Sequence, residues 1–195
     1  MPARTPPPPP VLAWLDLEMT GLDPDTCGIV ELALVLTDAE LNEIAPPLEL
    51  VIWQPPAVLA AMSPFVRQMH ERSGLLAKIE RSELDVQDAE REVMALLGRY
   101  APYRHARLSG NSIAQDRRFV RRYMPVFDGY LHYRQIDVST LKELALWWNG
   151  FKHAKSAAGR HTAMADIRAS IDELRAYRAA CWQQAAVAAP RPAPL

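Results

Sequence analysis

An apolar strand that ends in two acids constrains this chain more than any other stretch. Residues 11–17 read Val-Leu-Ala-Trp-Leu-Asp-Leu, followed by Glu18, Met19, Thr20 and Gly21. An apolar run of that length, closed by a Thr-Gly turn, predicts a buried β-strand. Side chains alternate across a strand, so Asp16 and Glu18 point to the same side. Two neighbouring carboxylates repel, and burying them unpaired is costly or forces protonation. A divalent cation relieves both problems, because hard metals such as Mg2+ prefer carboxylate oxygens. A solvated strand end with two chance acids is the alternative, and this segment alone leaves the choice open.

The rest of the chain supplies a sheet for that strand. Residues 28–38 (Gly28 to Asp38) predict a second strand and residues 47–54 (Pro47 to Gln54) a third, with short spacings that favour an antiparallel meander. Residues 63–78 read as short helical pieces around Ser73-Gly74. Val86, Ala89, Val93, Leu96, Leu97 and Tyr100 recur at helical spacing and predict an amphipathic helix over 85–100. A short strand is expected at 106–110, a helix at 113–123 and a further strand at 130–136. Thr140 with Glu143 has the pattern of a capping box opening a helix through Trp148. Met164, Ile167, Ile171, Leu174 and Cys181 mark the apolar stripe of a long last helix. Strands followed by alternating helices and strands predict a single α/β domain with a mixed sheet flanked by helices.

Both ends fall outside this pattern. The chain opens with five consecutive prolines within residues 1–10 and closes on Pro-Arg-Pro-Ala-Pro within 185–195. Polyproline offers no backbone donors, so both are expected to be disordered tails around a folded domain at 11–184. No apolar run approaches the ~20 residues that span a bilayer. The N-terminus has Arg4 but no apolar stretch of a signal peptide, so a cytoplasmic protein is expected. Cys27 and Cys181 lack metal-ligand spacing and read as free thiols.

Three further places bear chemistry. Ser109-Gly110-Asn111-Ser112 closes a strand, and Asp116 lies in the first turn of the following helix. Ser112 or Asn111 as a helix cap, with Asp116 complementing the dipole, explains that stretch without any function. Arg117, Arg118, Arg121 and Arg122 read as a solvated helix face. Near the end, five residues of helix turn through ~500°, leaving His161 and Asp166 ~140° apart. His161 therefore belongs on a loop, with Asp166 one turn inside the helix. Finally, residues 131–140 gather Tyr133, Arg134, Ser139 and Thr140, a set suited to one base and one phosphate.

Singly, each stretch has a structural explanation; their combination has another. Asp-x-Glu on the first strand, an Asp on a middle helix and His-x4-Asp at the last helix resemble the DEDD exonuclease superfamily. Position 162, four before Asp166, is Thr rather than Tyr, which matches the histidine branch. The wording is closest to the oligoribonuclease family: Leu-Asp-Leu-Glu-Met-Thr-Gly-Leu at 15–22, Gly-Asn-Ser-Ile-x-Gln-Asp-Arg-Arg-Phe at 110–119, and His-Tyr-Arg-x-x-Asp-Val-Ser-Thr-Leu-Lys-Glu-Leu at 132–144. The resemblance runs from about Val11 to Trp182 and implies a ribonuclease H-like fold. It also implies a 3′→5′ exoribonuclease that reduces very short oligoribonucleotides, dinucleotides included, to 5′-mononucleotides. Asp16, Glu18, Asp116 and Asp166 would hold two divalent cations, Mg2+ or Mn2+, with His161 as general base. Ser112 and Ser139 would clasp the substrate's 5′ phosphate together with Tyr133 and Arg134 from the neighbouring subunit of a homodimer. Leu22 and Phe65 would flank a base. The family pattern carries Trp where this chain has Phe65, a smaller stacking platform.

The residues fit that chemistry independently of the resemblance. In-line phosphodiester hydrolysis needs charge stabilisation on the attacking and leaving oxygens, and four carboxylates from three segments suffice to hold a pair of divalent ions. A histidine titrating near ~6.5 suits proton abstraction from water. A DNA-directed exonuclease of the same fold and a non-catalytic nucleic-acid-binding relic are the rivals. A relic is expected to have lost an acid, yet all four and the histidine are present. The formal net charge of -1 argues against a basic stripe gripping long nucleic acid, but not against a small site for a few phosphates.

Overall fold

Strand β1 (Val11–Met19) lies at the centre of the sheet, with a partner along each edge. The computed structural model describes residues 9–153 and 162–182. Strands β2 (Ile29–Thr37) and β3 (Leu48–Val51) form an antiparallel meander on one side of β1, while β4 (Ala106–Gly110) and β5 (Gln135–Asp137) run parallel on the other. The order is β3-β2-β1-β4-β5, a mixed sheet. In chain order the helices are α1 (Pro56–Ala60), α2 (Pro64–Ser73), α3 (Leu75–Ile79), α4 (Val86–Tyr100), α5 (Ala114–Tyr123), α6 (Pro125–Tyr130), α7 (Val138–Asn149) and α8 (Ala163–Tyr177). A π-helical turn, Arg178–Trp182, continues α8.

The alternation within β1 sorts these helices into two layers. Ala13, Leu15 and Leu17 face one way and pack with Ala89, Val93 and Leu97 of α4, Phe119 and Val120 of α5, and Phe127 of α6. Leu12 and Trp14 face the other way and pack with Val138 and Ala145 of α7 and with Ala163, Ile167 and Ile171 of α8. A strand covered on both faces must be apolar on both, which is why β1 and β2 read as continuous greasy runs. Trp14 is fully buried, and its indole N–H donates to Thr37 Oγ1 at 3.0 Å, so burial leaves no donor unsatisfied. By the same alternation Asp16 and Glu18 lie on the α8 face, beyond the end of the apolar packing. At the end of β4 the backbone passes so close to β1 that a Cβ on Gly110 would stand 2.9 Å from the Leu15 carbonyl oxygen.

Most expected elements are present, with boundaries shifted by one to four residues, and Asp85 caps α4 by accepting from the Asp88 N–H. Four expectations are corrected. Residues 130–136 are not a strand: Pro125 starts helix α6, which runs to Tyr130, and only Gln135–Asp137 pairs with β4. Proline preset at a helix N1 position explains the difference. The cap of α7 is Asp137, which accepts from the Ser139 N–H at 2.9 Å, so Thr140 lies inside the helix instead of opening it. Neither Asn111 nor Ser112 caps α5; Ser112 adopts a left-handed φ of 51°, and Ile113 precedes the helix without a side-chain cap. Arg117 is not solvated. The expected tails lie outside the described residues except for Pro9 and Pro10, and Trp182 is the last residue described. Cys27 and Cys181 are both free. Among the described residues no helix is long and apolar enough to cross a membrane.

Candidate active site

Helix α8 packs across the end of β1 and brings Asp166, in its first turn, to the two strand acids. One carboxylate oxygen from each of Asp16, Glu18 and Asp166 lies within 4.8 Å of the others. Asp116 reaches the same end of β1 from α5 and accepts the Leu17 N–H at 3.1 Å, between the two strand acids. The structure thus gathers all four acids singled out in the sequence. His161 lies outside the described residues.

The electrostatics follow from crowding. Burial, reinforced by the negative charges of Asp116, Asp166, Glu18 and Glu31, pushes the Asp16 carboxyl up to about 9 from 3.8. Burial, with Glu31, Asp166 and Asp116 adding to it, raises Glu18 to about 7. Asp116 is also raised to about 7, chiefly by burial, although the Leu17 N–H favours its ionised form. Without a counter-charge these groups retain protons near neutral pH. Closely set carboxylate oxygens on rigid strand and helix ends are the donor set that hard divalent cations require, so these residues fit such an ion.

Glu31 escaped the sequence reading. It stands opposite Glu18 in the β1–β2 register, is buried, and accepts the Ala163 N–H of α8 at 3.2 Å. It thereby satisfies a helix-end donor and fixes where α8 begins, two residues after His161. Its signal was available: a lone acid inside a nine-residue strand that is otherwise apolar save its terminal Thr37. His70 escaped as well. This buried side chain of α2 makes a 3.0 Å hydrogen bond from Nε2 to the Met19 carbonyl, and its Nδ1 lies 4.0 Å from Glu18 Oε2. The helix that carries Phe65 is therefore tied to the end of β1.

The expected substrate residues are exposed or partly buried and fall into three groups. Leu22 and Phe65 are 72% and 77% exposed, unusual for side chains so apolar. Ser112 and Ser139 are adjacent: the Ser112 N–H donates to Ser139 Oγ and to Asp137 Oδ1, each at 3.0 Å, and the two hydroxyls are 3.2 Å apart. Tyr133 is exposed, stacks on His132 with ring centroids 4.5 Å apart, and has the Arg134 guanidinium 5.3 Å from its ring.

Arg117 explains how that loop is held. Only 6% exposed, it donates from Nε to Asp128 Oδ1 at 2.8 Å and from its terminal nitrogens to the carbonyls of Tyr133 (3.2 Å) and His132 (3.4 Å). It adjoins Asp116 in sequence, so one turn of α5 carries an acid of the cluster and the anchor of the projecting aromatic loop.

Comparison with known proteins covers most of the chain. An exonuclease family model, RNase_T, matches residues 13–174. The oligoribonuclease of Thiobacillus denitrificans is 48% identical over 168 residues, which cover 86% of this chain and 92% of that protein. The oligoribonuclease of Pseudomonas aeruginosa strain PAO1 is 45% identical over 168 residues, covering 86% and 93%. Among solved structures, Escherichia coli exonuclease I in complex with a 5cy-dT13 oligonucleotide superposes with a TM-score of 0.70 at 15% identity, over 91% of this chain and 42% of that one. That likeness concerns the fold.

Proposed function

The chain belongs to the oligoribonuclease family of exonucleases, and on that premise we propose that it removes 5′-mononucleotides from the 3′ end of very short oligoribonucleotides, down to dinucleotides. The observation that carries this reading is the meeting of Asp16, Glu18 and Asp166 within 4.8 Å, with Asp116 beside them. Two divalent cations, Mg2+ or Mn2+, held by these four carboxylates would stabilise charge on the attacking and leaving oxygens of the phosphodiester.

The chain's own groups do the remainder. His161, two residues before the Ala163 N–H that Glu31 holds, accepts the proton of the attacking water. Leu22 and Phe65 flank a base with their exposed apolar surfaces. The Ser112 and Ser139 hydroxyls meet the 5′ phosphate, and Tyr133 with Arg134 closes over it from a second copy of the chain. Helix α7 supports such pairing: Leu146, Trp147 and Trp148 stand exposed on it, the two indoles at 68% and 74%, an apolar face of the kind that marks a protein interface.

The test is release of mononucleotides from a 5′-labelled RNA dinucleotide with and without a divalent ion. Metal-dependent release is expected, and DNA dinucleotides should be hydrolysed more slowly. No release under any divalent ion would sink the enzymatic reading, and equal rates on DNA would reassign the substrate. His161→Ala supplies a second result. The rate should climb with pH through the histidine's titration in the wild-type enzyme, and that limb should vanish in the variant with little change in KM. An identical pH profile in the variant would remove His161 from the role of base.

A further inference from the structure

Asn111 makes three side-chain hydrogen bonds, to two different helices. It follows the last residue of β4 and points between α7 and α8. Its Oδ1 accepts from Ser139 Oγ at 3.1 Å. Its Nδ2 donates to Ser170 Oγ at 2.8 Å and to Glu173 Oε2 at 3.0 Å. Ser170 Oγ in turn donates to the Asp166 carbonyl at 2.9 Å, one helical turn earlier. Glu173, also buried, is held by the Tyr177 hydroxyl at 2.7 Å. A continuous chain of hydrogen bonds therefore runs from Ser139 to the helical turn that presents Asp166.

From this geometry we infer that Asn111 is a positioning residue that couples occupancy of the 5′-phosphate subsite to the placement of Asp166. The inference rests on the proposed phosphate role of Ser139.

The physical reason is the single proton of a hydroxyl. Ser139 Oγ accepts the Ser112 N–H and directs its own proton to Asn111 Oδ1. A phosphate oxygen arriving at Ser139 competes for that proton. When the proton turns to the phosphate, Asn111 Oδ1 loses its donor while its Nδ2 remains bound to Ser170 and Glu173. The amide is then held by α8 alone, and the balance between its two sides shifts towards the helix that carries Asp166. A phosphorylated substrate thus changes the support of Asp166 as well as gaining a contact of its own, and its effect appears in turnover as well as in binding. Partly buried networks of this kind transmit such changes because each member has few alternative partners.

The experiment compares 5′-phosphorylated and 5′-hydroxyl RNA dinucleotides in wild-type, Ser139→Ala, Asn111→Ala and Ser170→Ala enzymes with Mg2+, after circular dichroism and melting have established that each is folded. Wild type should show a higher kcat and a lower KM for the phosphorylated substrate. In Asn111→Ala and Ser170→Ala the kcat advantage should shrink about fivefold or more, in the range of couplings between linked sites, while the KM advantage persists. A purely structural role would lower kcat for both substrates equally and leave their ratio untouched. An unchanged ratio in Ser170→Ala overturns the inference even if Asn111→Ala fails to fold. If wild type discriminates and only Ser139→Ala abolishes discrimination, the phosphate subsite stands and the coupling does not. If wild type does not distinguish the substrates, both fall.

Discussion

Asp16→Asn is expected to abolish hydrolysis and, in the absence of divalent ions, to melt at a higher temperature than the wild type above neutral pH. Both outcomes have one cause, the crowding of Asp16 by Asp116, Asp166, Glu18 and Glu31 in a buried position. The folded-state value of about 9 stands far above the ordinary 3.8. The folded protein therefore keeps a proton that the unfolded chain releases. Stability from this group is fully present below the ordinary carboxylate range and is lost as pH rises towards the folded value, by up to about 1.4 kcal/mol per pH unit. Glu18 and Asp116, both raised to about 7, add losses of the same sign up to neutrality. The neutral amide removes the largest of these losses.

Divalent ions should reverse the order. An ion that binds only the folded state stabilises it by mass action, and the wild type keeps the ligand that the variant has lost. Melting temperature against pH, in chelator and in Mg2+, reads both effects beside a single-turnover assay. Activity of the variant within about tenfold of wild type at saturating Mg2+ would defeat the assignment of Asp16. A wild type whose stability in chelator rises with pH across the same range would defeat the account of the electrostatics.

Arg134→Ala should weaken the hydrolysis of a 5′-phosphorylated dinucleotide by about 10- to 100-fold in kcat/KM, the worth of hydrogen bonds to a charged group, while barely affecting longer oligomers. Long strands are normally gripped through many phosphates, each contact adding basic charge and salt dependence. With 22 Lys and Arg against 23 Asp and Glu, this chain has no excess of positive charge for an extended track. A short substrate must draw its affinity from its ends. On the proposed reading the carboxylate cluster would take the scissile side, and Tyr133 with Arg134, on a loop whose carbonyls Arg117 holds, would cover the 5′ end from a second copy. A lid of that kind admits a dinucleotide and obstructs a longer strand, so discrimination comes from exclusion as well as attraction. Substitutions on the exposed face of α7 that yield folded monomers should reproduce the same loss. Equal losses for oligomers from two to about twenty nucleotides, or a monomer with unchanged length preference, would rule out a lid contributed by a second copy.

What the sequence by itself determined was whatever depends on neighbours along the chain. Strand alternation put Asp16 and Glu18 on one side, helical spacing outlined α4, and the segments 15–22, 110–119 and 132–144 carried enough wording to identify the family. Tertiary structure alone decided which groups of ordinary appearance are sequestered. Arg117 looks like its exposed neighbours Arg118 and Arg121 until α6, begun by Pro125, brings Asp128 against it. Glu31 becomes part of the acidic cluster only through the β1–β2 register, which sets it opposite Glu18, and through α8, whose Ala163 N–H it accepts from 132 residues away. Asn111 reads as a helix cap, since a cap and a partly buried amide hub use the same donors and acceptors; its partners Ser170 and Glu173 are 59 and 62 residues distant. Periodicity records only that a face is apolar or polar. Whether a polar group on it is satisfied by water or by a partner far along the chain depends on register and on how the helices cross the sheet, and those are fixed only when the layers pack.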